Sequence, residues 1–175
     1  MEAQNQGVTD RAAAEIEQIA ASDPALVSVQ IEAGFARQRL GQNERAIEAF
    51  KAALAASPEN ALAHYNLAVS LSSLGRFREA EQQLNAAVSW QPWFSQAYTA
   101  RGLAQARIGK TRAALASFDR ALAIDTNDFI AWLNRGLIRG ATGDLSNALT
   151  DLEKAVAIEP RSPDAHKALG AVALC

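Results

Sequence analysis

Three groups of side chains in this sequence are of types that do chemistry. His64 and His166 suit metal binding or proton transfer, Asp125 and Asp128 are spaced like the start of a calcium loop, and Cys175 is the single thiol. None comes with the neighbours its chemistry needs. A calcium loop requires Gly at its sixth position, which counted from Asp125 is Ile130. The segment therefore reads as a turn. Cys175 has no base beside it in sequence to form a thiolate and reads as a passive terminal thiol, and one cysteine makes no internal disulfide. The histidines stand 102 residues apart, three times 34, which points to a shared packing position in a repeat. The chain contains no G-x-S-x-G, Walker A, G-x-G-x-x-G, H-E-x-x-H or C-x-x-C pattern. The expectation is a non-enzymatic protein with no catalytic residue, cofactor or metal.

Composition narrows the class. Apolar residues make up 49% of the chain and charged ones 21%, the ordinary range for a packed domain. Ala is plentiful, Pro numbers 5 and β-branched runs are scarce, which favours helix over sheet. A net charge of -2 gives no basic excess to attract nucleic acid. Met1 to Gly7 is polar, without the apolar core of a signal peptide, and no run approaches the roughly 20 apolar residues of a membrane span. A soluble, cytoplasmic chain with a disordered segment at 1–8 is expected.

The elements follow from a period of 34. Gly41, Gly75, Gly109 and Gly143 keep it, as do Ala12, Ala46, Ala80, Ala114 and Ala148. So do Ala53, Ala87, Ala121 and Ala155, and Phe50, Leu84, Phe118 and Leu152. Pro24, Pro58, Pro92 and Pro160 form another series with Thr126 in the gap. Small residues where helices approach, a large apolar residue four positions on, Gly at a turn and Pro at a stop describe a helical hairpin. Such a hairpin cannot bury its apolar face alone, so the units stack. The expected fold is all-α, an α-solenoid of antiparallel helix-turn-helix repeats with units at 27–60, 61–94, 95–128 and 129–162. First helices start near Ser28, Ala61, Ser95 and Phe129, and second helices near Glu44, Arg78, Thr111 and Leu145. A helix at 9–22 keeps second-helix register, and one at 163–175 keeps first-helix register through Gly170, 34 after Gly136.

These residues resemble the tetratricopeptide repeat family: an aromatic, Leu-Gly, Tyr, then Ala, an aromatic and Pro over 34 residues. The fourth unit reads Trp132, Arg135, Gly136, Arg139, Ala148, Leu152, Pro160, and the third has Tyr98, Arg101, Gly102, Ala114, Phe118. Gln30 and His64 depart from the aromatic slot, and Thr126 departs from Pro. The resemblance implies a right-handed superhelix whose first helices line a concave, peptide-binding groove, and a role as scaffold, adaptor or assembly factor. The groove stripe it implies is Ile31, Phe35, Arg39; Tyr65, Val69, Ser73; Thr99, Leu103, Arg107; and Leu133, Leu137, Ala141. The family's carboxylate clamp is not matched, since only Asn66 agrees and Ile31, Phe35, Gln96 and Ala100 stand in the other clamp places.

Charge suggests the partner. First helices carry Arg37, Arg39, Arg101, Arg107, Arg135 and Arg139 against Glu32. Glu15, Glu17, Glu44, Glu48, Glu79, Glu81, Asp119, Asp151 and Glu153 fall on the N-terminal and second helices, which predicts a basic inside and an acidic outside. The expected partner is a protein or peptide with apolar and acidic character, and neither nucleic acid nor a membrane. Trp93 and Phe94, with Phe129 one turn on and Trp90 nearby, suggest an edge anchor. The alternative is a self-associating structural module or a fragment of a larger protein. In that reading the helix at 163–175 of one molecule docks on the helix at 9–22 of another and Val172→Glu breaks the contact.

Overall fold

The computed structural model describes residues 10–16, 18–20 and 26–174. The segment at 1–8, Glu17, Pro24 and Cys175 lie outside the described residues. Among the described residues every regular element is a helix. They are α1 (residues 10–16 and 18–20), α2 (Val27–Arg39), α3 (Asn43–Ala56), α4 (Ala61–Ser73), α5 (Phe77–Trp90), α6 (Ser95–Arg107), α7 (Thr111–Ile124), α8 (Phe129–Ala141), α9 (Leu145–Ile158) and α10 (Pro163–Ala173). The chain divides into two units, Met1–Pro92 and Trp93–Cys175.

In the first unit α2 pairs with α3 and α4 with α5, while α3 and α2 both touch α4. In the second α6 pairs with α7 and α8 with α9; α8 also meets α6 and α7, and α10 packs on α9 and α8. Each unit is thus a stack of helical hairpins with first helices in one layer and second helices in the other.

The 34-residue series explain the packing. Ala46, Phe50 and Ala53 of α3, and the residues at the same positions in α5, α7 and α9, have no exposed surface. A Cβ on Gly102 would lie 2.7 Å from the Phe118 ring, one on Gly136 would lie 2.8 Å from Leu152 Cγ, and one on Gly34 would overlap Phe50. The second hairpin carries Ala68 at this place with Leu84, smaller than Phe, at the facing one. Residue size on one helix is matched to the gap on the other.

Turns and starts are equally local. Gly41, Gly75, Gly109 and Gly143 take φ of 70°, 74°, 79° and 85°, a left-handed conformation that Gly adopts without strain. Around each, two reversed hydrogen bonds close the first helix, as in Gln42 N–H to Arg37 O at 2.9 Å and Gly41 N–H to Gln38 O at 2.9 Å. Asn60, Asp128 and Ser162 cap α4, α8 and α10 by accepting from the N–H three residues on.

One register needs correction. In α1 the buried small residues are Ala13 and Ala20, 33 rather than 34 before Ala46 and Ala53, and Ala12 is exposed. α1 keeps the second-helix pattern, set one residue closer to the first hairpin than a full period.

Candidate functional site

The stripe expected on the first helices separates by burial. Ile31, Thr99 and Leu133 are buried and are not available to a ligand, which corrects their assignment to the groove. The cause is the neighbouring hairpin. Thr99 Oγ1 donates to Asp128, the cap of α8, and Leu133 packs with Ala165 and Ala168 of α10. Phe35 is half-buried, edge-on to Phe50 with ring centroids 5.8 Å apart. Tyr65, Val69 and Leu103 are half-buried, Arg39, Ser73, Arg107 and Ala141 are exposed, and Leu137 is 44% exposed.

Two apolar residues missing from the stripe are open to solvent on these helices, Leu62 at 44% and Ile130 at 43%. They precede Tyr65 and Leu133 by three residues, so they share the face one turn back. The signal was in the sequence, since a helical face includes positions three apart as well as four. The first unit therefore presents Leu62, Tyr65 and Val69 on α4, with Arg39 at the end of α2. The second presents Leu103 and Arg107 on α6 beside Ile130 and Leu137 on α8.

The basic inside does not form as expected, because three of the six arginines turn toward the second helices and a fourth, Arg37, toward the turn before α3. Arg135 grips buried Asp151 with two bonds, Nε to Oδ2 at 2.8 Å and Nη2 to Oδ1 at 2.7 Å, and reaches Asp119 Oδ1 at 2.6 Å. Arg139 adds a bond to Asp151 Oδ2 at 2.7 Å. Burial alone would lower the pKa of Arg135, but its bonds to Asp151 and Asp119 outweigh that and raise it. Arg101 donates to Ser117 Oγ at 3.0 Å and lies over the Tyr98 ring, and Arg37 is buried, donating to Gln42 Oε1 at 2.8 Å. Arg39 and Arg107 are the two that are exposed. Nor is the other side uniformly acidic at its surface, since Glu81 and Asp151 are both buried.

The residues with chemical potential are engaged in structure. His64 Nε2 and His166 Nε2 each meet the carbonyl six residues upstream, Pro58 O and Pro160 O, at 2.9 Å. The indole N–H of Trp132 makes the same bond to Thr126 O at 2.8 Å. His therefore replaces Trp in the slot because both rings place an N–H at that carbonyl. Gln30 uses its amide similarly, donating to Ala20 O of α1 at 2.8 Å. Asp125 accepts from Asn127 N–H at 2.9 Å within the turn, and no cluster of three or more His, Cys, Asp or Glu suited to a metal occurs among the described residues. Asn66, the one match to the clamp, is buried with its amide on Leu62 O at 2.8 Å.

At the expected edge, Trp93 is 75% exposed and Phe94 half-buried, whereas Phe129 packs on the cluster of Leu133, Leu152, Ala155, Ala165 and Ala168. Phe129 is corrected to a packing residue: it opens α8 on the side that meets α9 and α10. Trp90, in the first unit, is exposed.

Two profiles described as tetratricopeptide repeat match residues 37–105 and 109–172, most of the chain. The chain belongs to the tetratricopeptide repeat family. Solved structures share the fold at low identity. MamA superposes with a TM-score of 0.83 at 21% identity, covering 91% of this chain and 94% of that one. YrrB, described as a TPR protein with an unusual peptide-binding site, gives 0.78 at 18% over 91% and 82%. A thermophilic TPR protein of Thermus thermophilus gives 0.72 at 21% over 99% and 95%. Among curated proteins no match was found. Tetratricopeptide repeats are in general scaffolds for protein–protein interaction, and no described helix here is long and apolar enough to cross a membrane.

Proposed function

We infer that the chain is a non-enzymatic adaptor that holds a segment of another protein against its first helices. The observation that carries this reading is the set of large apolar side chains left open on that layer, Leu62 in the first unit and Ile130 and Leu137 in the second. Each unit's face is apolar in the middle, flanked by exposed Arg39 in the first unit and Arg107 in the second. The segment it fits has two or three apolar residues at helical or extended spacing and, on the first unit, an acid to meet Arg39. That YrrB is described as having a peptide-binding site agrees with a peptide-binding use of the same fold.

Selection of peptides from a random display library on the immobilised chain, followed by affinity measurement of the winners, tests this reading. Leu62→Glu in the first unit, or Ile130→Glu with Leu137→Glu in the second, should weaken binding about tenfold or more. Glu153→Lys, on the exposed side of α9, should leave it within about twofold. Equal losses from both sets, with helicity unchanged, would remove the first-helix face as the site.

A further inference from the structure

The first-helix face of the first unit carries charge of both signs in a fixed order. On α2, Ser28, Glu32, Phe35 and Arg39 follow one another at intervals of four, three and four residues and share one stripe, with Glu32 and Arg39 two turns, about 10 Å, apart. Both are exposed, and among the described residues neither side chain holds a hydrogen bond or an ion pair. Phe35 lies half-buried between them, and α4, which touches α2, adds Leu62, Tyr65 and Val69. From the C-terminal end of α2 toward its start the face therefore runs base, apolar, acid. It then turns apolar again, with Leu62 one repeat on from Ser28. The second unit lacks this order, because Ala100 and Asn134 stand at the position of Glu32.

The polar groups bordering the middle of this face decide what backbone it takes. An extended segment would need partners for its N–H and C=O groups. Gln38 Nε2 is already committed to Asn66 O at 3.0 Å and Ser70 Oγ at 2.9 Å, and Asn66 is buried with its amide on Leu62 O. A helix satisfies its own backbone and asks only for side-chain contact. Direction follows from the dipoles. α2 and α4 are both first helices and run the same way, so a helix antiparallel to them sets its negative end against their positive ends. It then brings an acid near its start to Arg39 and a base two turns later to Glu32, the order its own macrodipole favours. A parallel helix would need the base first, against that dipole.

We propose that the first unit binds an amphipathic helix of a partner protein, antiparallel to α2, with an acid at its first position, an apolar residue at the fifth, a base at the eighth and an apolar residue at the twelfth. The intervals of four, three and four mirror those of Arg39, Phe35, Glu32 and Ser28 and keep the four side chains on one stripe about 16 Å long. The acid meets Arg39 and the base meets Glu32. The two apolar residues cover Phe35 with Val69 and Leu62 with Tyr65. The proposal rests on the first-helix reading given above and specifies its ligand.

Two alanine-based helical peptides of about 16 residues serve as probes, one carrying Glu, Leu, Lys and Leu at those four positions and the other with Glu and Lys exchanged. Amide NMR titration of the full chain to millimolar peptide should give saturable shifts on α2 and α4 with the acid-first peptide. The base-first peptide should bind about fivefold more weakly or worse. The double variant Glu32→Lys with Arg39→Glu, altered only at exposed positions, should reverse the preference. An acid-first peptide with Pro at its sixth position cannot be helical there and should not bind. No shifts on α2 and α4, equal affinities, a preference that the double variant fails to reverse, or retained binding of the Pro peptide would overturn the proposal. Shifts confined to Ile130 and Leu137 would assign the helix to the second unit and also overturn it. If library-selected peptides still bind and lose affinity with Leu62→Glu, such a failure removes this ligand and keeps the face; a library without such binders removes the face as well.

Discussion

At the scale of single residues, the volume at the Gly and Ala positions sets how closely two helices approach. The Gly and Ala series announce close helix approach because only small side chains leave room there, and Phe50 and Phe118 at zero exposure are the counterpart. The slot occupied by Gln30, His64, Tyr98, Trp132 and His166 looks irregular in hydrophobicity. Four of the five share an N–H aimed at a backbone carbonyl, which no apolar pattern displays, while Tyr98 instead lies under the Arg101 and Arg120 guanidinium groups. One substitution made at two places separates the two kinds of glycine. In Gly102→Ala the new methyl meets the Phe118 ring at 2.7 Å, and the expected loss is about 1 to 3 kcal/mol by overpacking. In Gly170→Ala the methyl meets nothing, and improved helix propensity should raise stability by about 0.5 to 1 kcal/mol. Denaturant unfolding of the two variants should move in opposite directions, and a loss at both would contradict the packing geometry.

At the scale of elements, helix type and order were legible because Gly turns punctuate each hairpin and Pro follows all but the third, where Thr126 stands. What escaped was register where sequence is degenerate. Ala12, Ala13 and Ala14 are consecutive, so a 34-residue rule finds an Ala whether or not it faces the core, and only burial distinguishes Ala13. The direction of the arginines escaped for another reason. A long side chain at one helical position reaches either neighbouring layer, and the choice depends on Asp119 of α7 and Asp151 of α9. That cluster ties three helices and predicts unequal acids. Asp151 is 1% exposed between two guanidinium groups, so Asp151→Ala leaves uncompensated charge and should cost about 3 to 5 kcal/mol. Asp119 is more than half exposed, and Asp119→Ala should cost less than about 1 kcal/mol. Comparable unfolding midpoints for the two variants would show that the pairing with Asp151 contributes little.

At the scale of the whole molecule, a net charge of -2 conceals how the charges are arranged, because most first-helix arginines are matched within the fold. The binding faces are accordingly defined by a few open apolar side chains, which is why counting arginines along the sequence overstated how basic they are. The slot bond of Trp132 also has an optical consequence. Its indole N–H is held by Thr126 O and its ring lies 4.7 Å from the Arg135 guanidinium, while the remaining two tryptophans, Trp90 and Trp93, face solvent. Intrinsic emission should contain two red-shifted, acrylamide-accessible components and one shielded component. Trp132→Phe should remove the shielded one and leave the accessible fraction intact. Any partner that covers Trp93 will announce itself by a blue shift without an added dye, so the chain carries its own spectroscopic reporter.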